Sequence, residues 1–529
     1  MKKQGFIKGS LILMISAVIA KGLGALFKIP LTNMLGGVGM GFFSCAYSLF
    51  LPVYALSVTG LSAAVARLTS QSIALEMYDN ARKIRKTALK LFASVGFFGM
   101  IFIASAAKPF AVYIAKSPDA QTAIMLIAPS VLFGCITAVE RGYYEGLCNM
   151  YPTAFSQLAE SIVKTAAGLL LCALAVQHSD TLITFFPEGT DIKAVTASAG
   201  ILGVTLSSVG SALFFPIMRI FIKNDNKCGD KTLISSHDIS AELIKIALPV
   251  GVSSLVTNFT SVIDLATIIS CCEMYSGYSD LSAQLGHENF PQFIYGSFTG
   301  IAVTIFNIIP SVTNMLGKGI LPSVTYAWEK KDKCKLQKNT SQALLAALII
   351  AVPAAVGIGI LAKPLLLMLF PLQTDEISIC VKALQYLMPG MVFLCVSFPV
   401  FSMLQATGNS SVPLKIMLIG ALVKLIGNLT LIKHMGIDGA ALSTTLCYTV
   451  IIIFSLSVYL KLTRIKLKAK PFLSVIYSGI LCGVSAMLCM NILSPIISDI
   501  PALFASIAVG GGIYLLSLWL LNVQKNDRC

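Results

Sequence analysis

Apolar residues recur along the chain in runs of about 20, separated by short polar loops. A helix of this length crosses about 30 Å of hydrocarbon, and it satisfies its own backbone hydrogen bonds in lipid. The pattern therefore predicts an all-α, polytopic membrane protein of about 14 transmembrane helices. The apolar windows place these spans near residues 9–33, 38–66, 88–114, 122–147, 152–176, 194–221, 240–272, 292–316, 341–370, 379–406, 413–433, 438–460, 471–494 and 500–522.

Composition agrees with this pattern, because 56% of the 529 residues are apolar, only 12% are charged and the mean hydropathy is +0.82. Soluble domains carry roughly 25% charged residues. No polar stretch exceeds about 30 residues, which leaves no room for a soluble catalytic domain. The first apolar run continues through Lys21 and Lys28 and predicts an uncleaved first helix rather than a signal peptide.

Most of the 39 lysine and arginine residues lie in alternate loops, chiefly 66–90, 317–340 and 461–470. By the positive-inside rule these loops are cytoplasmic, and so are both termini. The net charge of +15 is thus a topology signal and does not indicate nucleic-acid binding. Anionic membrane lipids are the expected partners of the basic loops.

The two halves of the chain repeat two loop patterns. Glu76-x-x-Asp79 after span 2, followed by basic residues, returns as Glu329-x-x-Asp332 after span 8. Three features near the end of span 4 and after it have counterparts near the end of span 10 and after it. Gly146 is matched by Gly408, Pro152 by Pro413, and Val163-Lys164 by Val423-Lys424. The repeat predicts parallel duplicated halves, which are common in secondary transporters.

The repeat defines three predicted regions. Residues 1–222 form an N-lobe of helices 1–6, and residues 223–462 form a C-lobe of helices 7–12. Residues 463–529 form a two-helix extension, helices 13–14, with a cytoplasmic tail. In such transporters the substrate site lies near the middle of the membrane, between the repeats.

Charged residues inside spans are costly and therefore indicate function. Lys21 and Lys28 lie seven residues apart in span 1, so both project from one face, about 10 Å apart. The first acidic residue of the chain is Glu76, so neither lysine has an acidic neighbour in sequence. The pair predicts an anion site, with snorkelling of Lys28 to the outer interface as the alternative.

Three further charged residues lie inside spans. Lys424 in span 11 has no acidic residue nearby in sequence, whereas its repeat counterpart Lys164 has Glu160 one turn earlier, which favours a local ion pair. Asp264 is the acidic residue of span 7 that lies away from its ends. It has two open interpretations, pairing with a span 1 lysine or binding a coupling proton or cation.

Four signature residues and one arginine lie at the cytoplasmic face. Arg67 ends span 2, and Glu140, Arg141, Gly142 and Gly146 end span 4. Membrane anchoring with local ion pairing and a role in an inward-facing gate are both consistent with these positions.

Cofactor motifs are missing from the sequence. No lysine follows a G-x-x-x-x-G pattern, and the four histidines have no metal-ligand spacing. We therefore predict no cofactor and no metal, with transport driven by membrane potential or by a proton or sodium gradient.

Two stretches resemble the stage V sporulation protein B group of polysaccharide-biosynthesis transporters, in the multidrug/oligosaccharidyl-lipid/polysaccharide exporter superfamily. The first runs from Lys3 to Gly36. The second, Glu140 to Lys164, matches the signature R-G-Y-x-x-G-x-x-x-M-x-P-T-A-x-S-Q through Arg141, Gly142, Tyr143, Gly146, Met150, Pro152, Thr153, Ala154, Ser156 and Gln157.

The resemblance implies a flippase that moves an undecaprenyl-diphosphate-linked peptidoglycan precursor, lipid II, or a related oligosaccharide across the cytoplasmic membrane. It also implies cell-wall synthases as partners and a lipid-tail groove in the extension. Cationic residues of span 1 are thought to hold the diphosphate in related flippases, at the positions of Lys21 and Lys28. The family usually has arginine there, which binds phosphate with a planar fork that lysine lacks.

Three other functions remain open. A multidrug-type cation antiporter of the same superfamily would need acidic and aromatic residues and only twelve helices. A membrane-embedded polyisoprenyl-phosphate glycosyltransferase would need acidic metal-binding clusters, which the sequence lacks, so we predict that the protein is not an enzyme. A passive scaffold is the third.

Overall fold

The computed structural model describes residues 6–186, 189–221, 235–272, 274–278, 282–283, 289–409 and 411–521. Throughout these residues the regular secondary structure is helical, which confirms the all-α class. Among them, twelve helices are long and apolar enough to cross a membrane, or thirteen if the bent pair Phe290–Phe306 and Ile308–Asn314 is one span. The chain is thus a multi-pass membrane protein, and fourteen is not confirmed as an exact number of spans.

The first helix, α1 (Phe6–Ala74), contains 69 residues and a break at Gly36. A straight helix of that length would extend about 100 Å, far more than a bilayer. Gly36 has φ 67° and ψ −176°, a conformation that glycine adopts without steric cost. The break falls between the two predicted spans 9–33 and 38–66.

The described chain divides into two compact units, Met1–Ile269 and Ser270–Cys529. The predicted lobe boundaries at 222 and 462 stay predictions. After α1, the helices that belong wholly or mostly to the first unit are α2 (Tyr78–Pro109), α3 (Ala120–Ile127), α4 (Pro129–Gly146), α5 (Tyr151–Gln177), α6 (Ser179–Leu182), α7 (Ile192–Phe221) and α8 (Ser236–Cys272).

The second unit ends with the two helices of the predicted extension. Its helices are α9 (Phe290–Ser297), α10 (Val303–Phe306), α11 (Ile308–Glu329), α12 (Lys333–Ile360), α13 (Ala362–Leu369), α14 (Thr374–Ala406), α15 (Ser411–Met435), α16 (Ile437–Thr463), α17 (Ala469–Leu493) and α18 (Asp499–Leu520). Gly479 of α17 lies directly against Val352 of α12. Tyr514 of α18 donates a hydrogen bond to the Ile349 carbonyl of α12, at 3.0 Å. The extension therefore packs on α12.

Matching helix caps support the internal repeat. At the end of α1, the Met77 amide donates to the Ser72 carbonyl and the Glu76 amide donates to the Ile73 carbonyl. At the end of α11, the Asp332 and Lys331 amides donate in the same way to the Ala327 and Trp328 carbonyls. Glu76 and Lys331 hold the same position in the two caps, and both have positive φ, 60° and 53°. These are Schellman caps, in which two amides close the last helical turn.

The second repeated loop has the same cap. The Asn149 and Cys148 amides close α4, and the Asn409 and Gly408 amides close α14 with the same hydrogen bonds. Cys148 has φ 55° and Gly408 has φ 83°. Both loops that the sequence pairs thus have equivalent backbone geometry in the two units.

Helix crossings repeat as well. Gly142 of α4 lies against the Ser62 backbone of α1, and Gly317 of α11 lies against Ser402 of α14. A small residue allows the close approach in each unit, but it lies on the opposite helix of the pair. The repeat therefore extends from the caps into the packing.

A buried threonine hydrogen bond also recurs. Thr205 of α7 donates to the Leu126 carbonyl, and Thr445 of α16 donates to the Tyr386 carbonyl, both at 2.6 Å. Together with the caps, this pair defines which residues of the two units correspond.

Candidate functional site

The span 1 lysines lie on α1 before its break. The Lys21 side chain is exposed and Lys28 is half-buried. Helix α5 contacts α1 between them, where the Thr165 hydroxyl donates to the Leu23 carbonyl at 3.3 Å. This contact places one face of α5 beside Lys28.

Lys164 on that face of α5 is the neighbour of Lys28. Its Nζ lies 5.2 Å from the Phe27 ring centroid and 5.5 Å from that of Tyr47, within range of cation–π attraction. Phe27 directly precedes Lys28 in α1, so Lys28 and Lys164 are neighbours of like charge. The structure thus brings together two lysines that lie far apart in sequence.

A row of aromatic rings continues from this pair along α1. The ring of Tyr47 stacks on Phe43 at 4.9 Å and contacts Phe50 at 5.9 Å, and Phe50 lies 4.9 Å from Tyr54. The Tyr47 hydroxyl is buried and has no hydrogen-bond partner among the described residues. A buried hydroxyl without a protein partner is uncommon, and it can donate or accept a hydrogen bond from a bound molecule.

The signature arginine Arg141 binds Glu160. Their Nη2 and Oε2 atoms are 2.7 Å apart, and the same guanidinium donates to the hydroxyls of Ser156 and Ser211. Because Glu160 pairs with Arg141, the predicted pairing of Glu160 with Lys164 is wrong. The contact joins α4, α5 and α7.

A second ionic contact surrounds Glu140, whose side chain is buried. Arg85 of α2 forms a bidentate pair with it, with N–O distances of 2.9 and 3.0 Å, and Arg219 of α7 donates to the same carboxylate. The Arg85 guanidinium also lies over the Tyr143 ring, at 5.3 Å. This group holds two positive charges against one negative charge.

The signature glycines have packing positions. Gly142 meets the Ser62 backbone, and Gly146 lies against Ala66 and Thr69 of the same helix. A side chain at either position would collide with α1. These glycines let α4 cross α1 closely, and their predicted gate role stays a prediction.

The remaining predicted residues are spread over both units. Arg67 near the end of α1 is exposed, and Asp264 of α8 is half-buried. Lys424 of α15, in the second unit, is buried at 5% exposure. Substrate binding by these residues stays a prediction, as it does for Lys21 and Lys28.

Sequence reasoning overlooked four residues that the structure places at these sites. Tyr47 and Phe27 enclose Lys164, and Arg85 and Arg219 bind Glu140. The aromatic spacing along α1 was available as a signal for the first two, since Phe43, Tyr47, Phe50 and Tyr54 recur every three or four residues. The arginines resemble topology markers in the sequence, because each follows the positive-inside rule.

Curated relatives resemble the chain over most of its length. Stage V sporulation protein B of Bacillus subtilis (strain 168) is 24% identical over 100% of this chain and 98% of the relative. Lipid II flippase MurJ of the same organism is 22% identical, over 84% of this chain and 80% of the relative.

A solved structure titled lipid II flippase MurJ, inward closed conformation, shares the fold. Its TM-score is 0.68 at 13% identity, covering 96% of this chain and 98% of that structure. The MatE family also matches residues 297–430. The polysaccharide biosynthesis protein family matches residues 6–328, more than half of the sequence, and the chain belongs to that family.

Proposed function

We propose that this protein is a flippase that moves a lipid-linked glycan precursor across the cytoplasmic membrane by alternating access. The observation that carries the proposal is the half-buried Lys28 inside the membrane-spanning α1, whose neighbour Phe27 begins the row of aromatic rings along that helix. Ionisable residues inside membrane spans are rare and commonly mark a substrate or ion pathway.

The substrate that fits this chemistry is an undecaprenyl-diphosphate-linked peptidoglycan precursor, as for lipid II. The diphosphate supplies the negative charge, and aromatic side chains offer flat surfaces to the sugars. Relatives named stage V sporulation protein B and lipid II flippase support this class of substrate. The prenyl tail remains in lipid, beside the extension α17–α18.

Transport needs an energy source other than a nucleotide. We propose the membrane potential or a proton or sodium gradient, with both termini in the cytoplasm, as the basic loops indicate. Lys21, Lys424, Arg67 and Asp264 are proposed to contact the substrate or a coupling ion. Anionic lipids and cell-wall synthases are the proposed partners.

A multidrug-type cation antiporter is the second candidate, because the MatE family matches residues 297–430. Its cargo is a cation, which the positive charges of Lys28 and Lys164 would repel. One assay separates the two functions.

The test uses purified protein in liposomes that carry fluorescent lipid II, and a parallel set loaded with a cationic dye. We expect lipid II flipping without dye transport. Lys28→Ala is expected to slow flipping about tenfold or more, the effect of one lost charge-assisted hydrogen bond. Lys21→Ala tests the second span 1 lysine.

Lys108→Ala is the matched control, since Lys108 is exposed at the end of α2. It should flip lipid II at the wild-type rate. Dye transport without lipid II flipping would instead favour the antiporter. Wild-type flipping by both Lys28→Ala and Lys21→Ala would contradict the cationic site.

A further inference from the structure

Lys164 lies where a second cation could face the same ligand as Lys28. The two lysines come from different helices, α5 and α1, and the Lys164 Nζ lies 5.2 Å from the ring centroid of Phe27, the residue before Lys28. Two like charges placed this way repel each other. Such repulsion is relieved when an anion with several oxygens lies between the charges. The buried Tyr47 hydroxyl, which has no hydrogen-bond partner among the described residues, lies on the ring that contacts Lys164.

The sequence offers Lys164 a competing partner. Glu160 precedes it by four residues on α5, the spacing at which a glutamate and a lysine pair on a helix. Such a pair would neutralise Lys164. In the structure Glu160 is instead held by Arg141 at 2.7 Å.

Two serine hydroxyls, those of Ser156 and Ser211, orient the Arg141 guanidinium. Ser156 accepts two of its hydrogen bonds, at 2.9 and 3.2 Å, and Ser211 accepts one at 3.1 Å. The Ser156 and Ser211 hydroxyls are themselves 3.0 Å apart. The guanidinium is therefore held in the position that captures Glu160.

We infer that Lys164 and Lys28 together bind the diphosphate of the substrate, and that Arg141 is a positioning residue that keeps Glu160 away from Lys164. The inference rests on the proposed function and adds a second helix to its anion site. It also assigns a role to the signature arginine Arg141. By binding Glu160, Arg141 prevents an ion pair between Glu160 and Lys164, which lies one turn after Glu160 on α5.

The test measures binding of geranylgeranyl diphosphate to the full-length protein in detergent, with geranylgeraniol as the uncharged control. Lys164→Gln is expected to weaken diphosphate binding about tenfold or more, and to leave geranylgeraniol unaffected. Inorganic pyrophosphate should displace the probe at higher concentration, because the anion itself is recognised. Failure of pyrophosphate to compete would overturn the inference.

The role of Arg141 is tested by rescue. Arg141→Gln should weaken binding in the same direction, because Glu160 becomes free to pair with Lys164. The double variant Arg141→Gln/Glu160→Gln should recover binding to within about threefold of wild type. A purely structural arginine predicts no recovery, since the double variant lacks the contact as well.

Two results separate the two proposals, and a third tests the positioning role alone. Weakened binding in Lys28→Gln with unchanged binding in Lys164→Gln would overturn the inference and leave the proposed flippase intact. Absence of diphosphate binding in the wild-type protein would overturn both. If Arg141→Gln does not fold, Glu160→Gln alone decides the positioning role, because weaker binding in that variant contradicts it.

Discussion

The two units have the same helix caps and helix crossings, but one equivalent contact is polar in the first unit and apolar in the second. It lies where α4, α5 and α7 meet in the first unit, and where α14, α15 and α16 meet in the second. In the first unit this point is polar, with Arg141 bonded to Glu160 and two serines. The helix caps and the two threonine hydrogen bonds show which residues of the second unit are equivalent to these four. The equivalents are apolar or small and pack together: Phe401, Ile416, Gly420 and Ile451.

The ionic contact around Glu140 shows the same difference between a charged site in the first unit and a neutral one in the second. Arg85, Glu140 and Arg219 join α2, α4 and α7 in the first unit. Their counterparts in α12, α14 and α16 are neutral: the Thr340 and Tyr459 hydroxyls share a hydrogen bond of 2.8 Å, beside the buried Val400.

This difference teaches that backbone geometry does not require the charges. The same crossings form with apolar contacts in the second unit, so the ion pairs of the first unit need another explanation. Buried ion pairs are often no more stabilising than apolar replacements. Their presence in the unit that also holds Lys28 and Lys164 agrees with the proposed role of this unit in substrate handling.

The largest effect should follow from breaking the contact around Glu140. Glu140→Gln leaves Arg85 and Arg219 without their carboxylate, and we expect a loss of about 3–5 kcal/mol in stability. Thermal unfolding in detergent measures it. Glu145→Gln on the same helix is the control, since Glu145 is only half-buried, and equal melting of both variants would contradict the prediction.

An intermediate effect should come from converting the first unit into the second. Arg141→Leu alone should cost about 2 kcal/mol, less than the roughly 3–5 kcal/mol of a fully buried ion pair, because Glu160 is 30% exposed. The quadruple variant, with the second unit's residues Phe, Ile, Gly and Ile in place of Arg141, Ser156, Glu160 and Ser211, should be at least as stable as the single one. Because this variant lacks Glu160, nothing on α5 pairs with Lys164, and lipid II flipping should stay within about threefold of the wild-type rate.

A quadruple variant that folds and does not flip lipid II would show that the polar contact does more than keep Glu160 away from Lys164. Flipping is measured in the same liposome assay, and stability by thermal unfolding. The two readouts separate loss of fold from loss of function.

The smallest effect is expected in the neutral counterpart. Tyr459→Phe removes one buried hydrogen bond to Thr340, which should cost about 1 kcal/mol and leave flipping unchanged. A double-mutant cycle with Thr340→Val isolates the interaction. A loss as large as that of Glu140→Gln would remove the contrast between the two units.

Much of the fold was predictable from particular patterns. Runs of about 20 apolar residues predicted helical spans, and the repeated loop patterns predicted equivalent loops. Both depend on residues near each other in the chain. The register within the second loop differs from the predicted one, because the caps pair Gly408 with Cys148 and not with Gly146. The partner of Glu160 was predicted wrongly, because the i,i+4 spacing to Lys164 is a local signal and Arg141 is nineteen positions away on another helix.

By itself, the sequence determined that this chain is a helical membrane protein of the polysaccharide biosynthesis family with two related halves. Lipid excludes other spanning structures for such apolar runs, and the signature residues are contiguous. Only the tertiary structure decided that Lys28 meets Lys164 and that Arg141, not Lys164, holds Glu160. These contacts depend on which faces of α1, α4 and α5 come together, and that choice is made by packing at glycines and aromatic rings, whose partners lie far away in the sequence.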